Sequence, residues 1–206
     1  MTLPKDASPI ATNSRLCLAS ASPRRLALLE QINLIPARMI AADIDETPEI
    51  GETPKQLALR LAQAKAATVS ALLAEENDTS TYILAADTVV SVGRRILPKA
   101  ETEAEARACL ALLSGRGHRV RTGFCVRHGD TVISRCVSSR VQMKTLSPED
   151  IENYLASEEW RGKAGGYAIQ GLAGGFIMGL VGSYSNIVGL PLYEISAVLQ
   201  GIGFKR

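Results

Sequence analysis

The 206-residue chain has little net charge, few aromatic residues and few histidines. Its 23 lysines and arginines against 21 aspartates and glutamates give a formal net charge of +2, too small to indicate nucleic acid or an anionic membrane as a partner. No basic block interleaved with aromatic residues occurs, which also argues against nucleic-acid binding. Because only two histidines are present, oxygen atoms become the default ligands for any metal.

Long apolar runs and paired cysteines are also missing. No run approaches the roughly 18 apolar residues that a membrane span requires. Residues 1–14 are polar and lack the apolar core of a signal peptide, so we expect a loose N-terminal tail. The four cysteines show no C-x-x-C spacing, and since the N-terminal segment does not look like a signal peptide, we expect them to be reduced core residues in a cytoplasmic protein. Residues 15–206 suit a single domain with a sizeable core.

Apolar runs alternate along the chain with segments that carry helix start signals. The pattern predicts strands at residues 16–18, 37–40, 82–92, 119–127, 131–144, 167–169 and 176–181. It predicts helices at residues 23–31, 53–75 and 102–114, and two more that begin near residues 147 and 190. This alternation, together with one long hairpin, predicts an α/β fold with a mixed central sheet and flanking helices.

Two arginines lie in the first turn of the helix predicted to begin at Pro23. Cations there oppose the helix dipole, whereas the free backbone N–H groups of that turn attract anions. Arg24 and Arg25 therefore suit a phosphate site, and they equally suit a solvated basic helix start.

Asp87 places a carboxylate inside the apolar strand predicted at residues 82–92. Because burying an unpaired carboxylate is costly, we expect a cleft at an interruption or end of this strand. A carboxylate there can hold a divalent ion or accept a proton from water, and capping a turn is the alternative. Glu46, in the acidic loop at residues 43–48, is a second candidate metal ligand, although such loops are usually only solvated.

Lys65, Lys99 and Lys163 occupy positions where regular structure would hold their side chains. Each alone suits a surface lysine. Together with the two arginines they supply five cations in a nearly neutral chain, a number that suits a triphosphate with magnesium better than a monophosphate. The glycine-rich segment 165–171 matches neither a Walker A loop nor a dinucleotide fingerprint, and no G-x-S-x-G elbow is present.

Seven stretches, taken in order, carry a resemblance to a known family. They are LASASPRR (18–25), DETP (45–48), RLAQAK (60–65), ADTVV (86–90), LSGR (113–116), KAGGYAIQG (163–171) and GSYSN (182–186) running into VGLPL (188–192). The series resembles the Maf family of nucleoside triphosphate pyrophosphatases and covers about residues 16–202. It is far more specific than any one stretch.

The resemblance implies a mixed, twisted sheet in two lobes around a nucleotide cleft, similar to the ITPase fold. It implies hydrolysis of a nucleoside triphosphate to the monophosphate and pyrophosphate with a divalent cation, Mg²⁺ or Mn²⁺. The family's catalytic, phosphate-binding and metal-binding residues correspond in this sequence to Ser20, Arg24, Arg25, Glu46, Lys65, Asp87, Lys99 and Lys163.

The resemblance also implies a role for each of these residues. Asp87, Lys65 and Lys99 are expected to be catalytic, with Asp87 as the proton acceptor. Glu46 and Asp87 are the expected metal ligands. Phosphate binding falls to Ser20, Arg24, Arg25 and Lys163. The base is read at three positions, which are Arg24, Thr88 and Gln170.

Within the family, the subgroup that acts on dTTP and UTP is similar to this chain at SPRR (22–25), DT (87–88) and IQG (169–171). We therefore expect activity on dTTP and UTP, with modified pyrimidine triphosphates as further candidates. The alternatives are 7-methyl-GTP specificity, whose subgroup differs at all three places, and a nucleotide-binding regulator of septum formation without significant catalysis. A homodimer is left open, and neither nucleic acid nor membrane is an expected partner.

The chain departs from the family pattern at two positions. Ala100 stands where members usually carry Pro after the lysine, which loosens the expected geometry of Lys99 without removing its charge. Gly117 stands where a bulkier residue is usual, and this puts only a turn in doubt.

Overall fold

The computed structural model describes residues 13–205, with side chains from residue 15 onwards. The strands are β1 (Asn13–Ala19), β2 (Pro36–Met39), β3 (Tyr82–Val92), β4 (Arg95–Leu97), β5 (Lys99–Ala100), β6 (Gly117–His128), β7 (Thr131–Met143), β8 (Lys163–Ala164) and β9 (Ile177–Val181). The helices are α1 (Pro23–Glu30), α2 (Pro54–Glu75), α3 (Glu103–Leu113), α4 (Pro148–Ala156), α5 (Tyr184–Val188) and α6 (Leu192–Gly201).

The central sheet is mixed. Its strand order is β2-β1-β3-β6-β7-β9, and β4 pairs with the end of β3 on the edge opposite β6. A separate two-stranded sheet joins β5 to β8. β1 runs parallel to β2 and β3, whereas β6, β7 and β9 continue the sheet with antiparallel pairing. The prediction of an α/β fold with a mixed sheet and flanking helices is confirmed.

Helices cover both faces of the sheet. Alternate residues of a strand point to opposite faces, so one strand supplies two apolar layers. On one face, side chains of β1, β3 and β6 pack against α1 and α6; on the other, they pack against α2. Within residues 13–205, α2 is the one helix long and apolar enough to span a membrane, a test that the core helix of a soluble protein also passes.

The predicted helix starts are confirmed where capping residues mark them. Thr53, Thr102 and Ser147 each accept a hydrogen bond from the backbone N–H of the residue three positions on. The side chain of that residue accepts one from the backbone N–H of the capping residue. This reciprocal arrangement satisfies N–H groups that have no partner inside the helix. Proline in the first turn of α1, α2 and α4 fixes φ without losing a helical hydrogen bond.

Two local predictions are wrong. β3 is not interrupted at Asp87, because the ladder to β6 continues through Asp87 opposite Gly123. The strand predicted at residues 167–169 is absent, since residues 167 and 168 have no regular structure and a turn begins at residue 169. Two glycines with positive φ (71° at Gly165 and 66° at Gly166) precede this segment and follow the short strand β8. The short helix α5 was not predicted.

The N-terminal boundary is only partly described. β1 begins at Asn13, inside the segment 1–14 predicted as a tail, and residues 1–12 lie outside the described part of the chain. The assignment of residues 15–206 to a single domain stays a prediction.

The backbones of α2 and β6 are in direct contact at Gly123. A Cβ atom at this position would lie 2.2 Å from the carbonyl oxygen and 2.4 Å from the carbonyl carbon of Ala58. Neither atom can move aside, since both belong to the helix backbone. The absence of a side chain at residue 123 therefore allows α2 to lie directly on the sheet, with Lys65 two turns further along.

We expect Gly123→Ala to destabilise the protein by about 3 kcal/mol, because the added methyl group must push α2 away from the sheet. Gly179→Ala is the matched control, since it adds the same methyl group to β9 where no atom lies within 4 Å. Urea denaturation of both variants measures the effect. Equal midpoints would contradict the proposed backbone contact.

Candidate active site

Four of the predicted site residues form one ionic network. Lys65 Nζ, from α2, lies 2.7 Å from Asp87 Oδ1 and 2.6 Å from Glu46 Oε1. Lys99 Nζ, from β5, contacts Glu46 Oε2 and lies 3.9 Å from Asp87 Oδ1. Two carboxylates and two ammonium groups from four parts of the chain thus meet around Asp87, which is 2% exposed.

The charge of Asp87 is balanced inside the fold. An unpaired buried carboxylate would cost several kcal/mol, and Lys65, itself buried, neutralises it directly. Burial raises the pKa of Glu46, but hydrogen bonds from Lys65 and Lys99 outweigh this and leave its pKa below the ordinary value. Glu46 is therefore held in the charged form, and Asp87 is paired directly with the ammonium group of Lys65.

Arg25 is held by neutral groups rather than by a carboxylate. Its Nη1 donates to Ser20 Oγ at 3.0 Å and its Nε to the carbonyl oxygen of Gly189 at 3.1 Å. Burial lowers the pKa of Arg25, and the nearby carboxylates of Asp87 and Glu46 act in the opposite direction. The guanidinium is fixed in place with its charge left for a ligand.

The hydroxyl of Ser20 is oriented by its partners. Ser20 Oγ accepts from Arg25 Nη1 at 3.0 Å and from the backbone N–H of Ser22 at 3.2 Å. A hydroxyl has two lone pairs and one hydrogen, so both lone pairs are engaged and the hydrogen remains free. Ser20 is thus set up to donate to an acceptor such as a phosphate oxygen.

A cavity beside this network collects the remaining predicted residues. Arg24, Arg25, Thr88, Lys163 and Gln170 line it, with Lys99 at its edge and apolar side chains of β3, β6 and α5 as walls. Burial and the charge of Arg24 lower the pKa of Lys163. Two further cavities adjoin it, one lined by Ser20 and Lys65 and the other by Asp87, and Lys99 lines all three. The cavities form one cleft.

The turn that carries Gln170 is anchored at three points. The backbone N–H of Ala168 donates to Tyr154 Oη at 3.0 Å, and that of Leu172 donates to Glu159 Oε2 at 2.8 Å. Just before them in the chain, Tyr167 Oη lies 2.6 Å from His118 Nε2. These contacts fix the turn although Gln170 itself is exposed.

Asn186, in the family stretch at residues 182–186, has a structural role. Asn186 is 0% exposed, and its Nδ2 donates to the carbonyl oxygen of Val120 at 3.2 Å and to Ser139 Oγ at 2.9 Å. Asn186 therefore ties α5 to β6 and β7 beneath the cleft and does not face a ligand.

The structure brings all ten predicted site residues to this cleft by direct contact or as lining residues. Sequence reasoning missed the polar residues that hold them: Thr122, Tyr154, Glu159, Asn186 and the carbonyl group of Gly189. No sequence pattern marks these positions, since each acts across a long separation along the chain. The chemical role of each predicted residue stays a prediction.

Comparisons with known proteins find similarity over nearly the whole chain. The family described as "Maf-like protein" matches residues 15–202. The chain belongs to the Maf family. A curated relative from Mesorhizobium japonicum, "dTTP/UTP pyrophosphatase", is 58% identical over 193 residues, covering 93% of each chain. Relatives with the same name from Nitrobacter hamburgensis and Rhizobium meliloti are 56% and 54% identical, covering 92% and 95% of this chain and 93% and 96% of their own.

Among solved structures, the Staphylococcus aureus Ham1 protein is similar with a TM-score of 0.41 and 15% identity, over 62% of this chain and 71% of that chain. The strand order of its own central sheet defines the fold of this Maf family member.

The two carboxylates of this Maf protein fit a divalent cation of the magnesium type. Glu46 and Asp87 contact the same ammonium group, so their oxygens face one small space. Within residues 13–205, no cluster of three or more His, Cys, Asp or Glu side chains could hold a metal ion. A protein that supplies one or two carboxylates typically binds Mg²⁺ together with substrate phosphates. The donor set fits that mode and not a cage built from protein ligands alone.

Proposed function

We propose that this chain is a nucleoside triphosphate pyrophosphatase that converts dTTP and UTP to the monophosphate and pyrophosphate. The observation that carries the proposal is the position of Asp87, a buried carboxylate at a cleft lined by five cationic side chains. The substrates are those in the printed names of relatives that are 54–58% identical over nearly the whole chain. Modified pyrimidine triphosphates are further candidate substrates.

Asp87 serves as the proton acceptor in this proposal. Lys65 and Lys99 both contact Oδ1, which leaves Oδ2 to take a proton from the attacking water. The water oxygen bonds to the α-phosphorus or to the neighbouring β-phosphorus. The bond from the attacked phosphorus to the oxygen that bridges the two breaks, so the monophosphate and pyrophosphate separate. The two arginines and Lys163 offset the negative charge that moves onto the leaving group, and Ser20 donates a hydrogen bond to a phosphate oxygen.

A divalent cation, Mg²⁺ or Mn²⁺, is the proposed cofactor, with Glu46 and Asp87 as its protein ligands. When bound, it would polarise the phosphoryl oxygens and neutralise part of their charge. The four cysteines within the described residues are all free thiols, which supports a cytoplasmic location.

The proposed base preference depends on hydrogen-bond patterns. Uracil and thymine present an N3–H donor beside an O4 acceptor, and a glutamine amide offers an acceptor beside a donor. Gln170 can therefore pair with both groups, with Thr88 and Arg24 lining the same cavity. Cytosine reverses the pattern and purines are larger. The 7-methyl-GTP specificity and the septum regulator without catalysis are not favoured, given the names of the relatives.

A product assay tests the activity. We expect the purified protein with Mg²⁺ to convert UTP and dTTP to the monophosphate and pyrophosphate, because the cations of the cleft suit a three-phosphate chain. Chromatography of the nucleotides identifies the products, with CTP, GTP and 7-methyl-GTP as comparison substrates. Nucleoside diphosphate and orthophosphate as main products would contradict the proposed bond cleavage, and no turnover of any substrate would favour the regulator.

Asp87→Asn should lower kcat by about 10²–10⁴-fold, because the amide cannot accept the proton. The fold should persist, since Lys65 keeps its contact with Glu46. Steady-state kinetics and thermal denaturation measure the two effects. Asp43→Asn, an exposed carboxylate in the same acidic segment, is the matched control and should retain full activity. Normal turnover by folded Asp87→Asn would rule out the proposed role.

Gln170→Glu should reduce kcat/KM for UTP and dTTP by about 5- to 150-fold, because the carboxylate lacks the donor that O4 requires. Thermal stability should change little, since residue 170 is exposed. Gln200→Glu makes the same chemical change on the exposed end of α6 and should leave kcat/KM unaltered. An equal loss in both variants would contradict a base-reading role.

A further inference from the structure

Thr88 is connected to the interior by a short chain of hydroxyl groups. Thr88 Oγ1 lies 2.9 Å from Thr122 Oγ1, the residue directly opposite it in the β3–β6 ladder. Thr122 Oγ1 in turn lies 2.8 Å from the backbone carbonyl oxygen of Asn186. Thr122 is 0% exposed, so it cannot touch a substrate.

The directions of these hydrogen bonds follow from counting hydrogens. A carbonyl oxygen only accepts, so the single hydroxyl hydrogen of Thr122 is used on Asn186. Thr122 then has only lone pairs for Thr88, and the hydrogen of Thr88 must point to Thr122. On its other side, Thr88 Oγ1 lies 3.5 Å from Arg25 Nη2, a further donor. Thr88 therefore has no hydrogen left for the cleft, and the lone pair that Arg25 does not use remains as an acceptor.

We infer that Thr122 is a positioning residue for base selection, which makes Thr88 an obligate hydrogen-bond acceptor and thereby sets the orientation of the Gln170 amide. The inference rests on the proposed function, in which Gln170 reads the base. Thr88 and Gln170 line the same cavity. An acceptor at Thr88 favours the amide orientation whose NH₂ group faces it, because the flipped amide would bring two acceptor oxygens together.

This orientation selects between pyrimidines. With one NH₂ hydrogen on Thr88, the other can meet O4 of uracil or thymine while the amide oxygen accepts from N3–H. Cytosine would instead set its N4 amino group against the amide NH₂, and its N3 lone pair against the amide oxygen. A threonine hydroxyl that is free to rotate can either donate or accept, so it would pair with the Gln170 amide in both of its orientations. Thr88 alone would then not discriminate uracil from cytosine. Discrimination requires the hydrogen of Thr88 to be fixed by Thr122.

The test is the ratio of kcat/KM for UTP to that for CTP. Thr122→Val keeps the side-chain shape but removes the oxygen that accepts from Thr88, so the ratio should fall by about tenfold. Thr122→Ser keeps the hydroxyl and should retain the ratio. Loss of structural support alone would lower both kcat/KM values together and leave the ratio unchanged, and that result in a folded Thr122→Val variant would overturn the inference.

A double-variant cycle tests the route through Gln170. In a Gln170→Ala background, Thr122→Val should produce no further fall in the ratio, since the side chain that it orients is gone. A further tenfold fall there would show that Thr122 acts by another route and would overturn the inference.

Two outcomes separate this inference from the proposed function. If the unmodified protein hydrolyses CTP as efficiently as UTP, the proposed base preference is wrong, and the inference is wrong with it. If the preference is present, the Thr88→Val variant tests the inference even when Thr122→Val does not fold. Thr88→Val should lower the UTP-to-CTP ratio of kcat/KM to the level expected for Thr122→Val. An unchanged ratio in Thr88→Val would overturn the inference and leave the proposed function standing.

Discussion

A charged carboxylate in the middle of a buried strand is the constraint on which this structure depends. Asp87 lies within the central ladder, where an unpaired charge would be costly, so a cation must reach it from the helix layer above. Lys65 does so only because α2 lies directly on the sheet, and that contact requires a residue without a side chain at Gly123. Gly123 and Asp87 lie opposite each other in the β3–β6 ladder. The close contact at Gly123 and the neutralisation of Asp87 therefore both depend on how α2 packs on the sheet.

The cleft is divided into a charge-balanced part and a cationic part. Lys65 and Lys99 pair with Glu46 and Asp87, so their charges are largely neutralised before substrate arrives. Arg25, in contrast, is held by a hydroxyl and a carbonyl group, and its charge remains available. A triphosphate bound to the cationic part would lie next to the paired carboxylates of Glu46 and Asp87. This division suits a reaction that needs both a base and phosphate binding.

Much of the fold could be predicted from local signals, because capping residues and apolar runs act within a few residues. Thr53, Thr102 and Ser147 mark helix starts that the structure confirms. The register of β3 against β6 could not be predicted, because pairing residue 88 with residue 122 depends on contacts across the whole sheet. For the same reason, a carboxylate inside an apolar run indicated a strand interruption, although in the fold a lysine from α2 neutralises it within a continuous strand.

In the candidate site, too, local features could be predicted from the sequence and long-range contacts could not. The side chains that face the cleft belong to short sequence motifs, and all ten were found from them, whereas the groups that orient these side chains lie elsewhere in the chain. A threonine hydroxyl can donate or accept, so the Asp87-Thr88 motif by itself leaves its role open. The structure decides that role through Thr122 and through the backbone carbonyl group of Asn186. Asn186, which is 0% exposed, can therefore act on Thr88 through Thr122 without contacting a nucleotide.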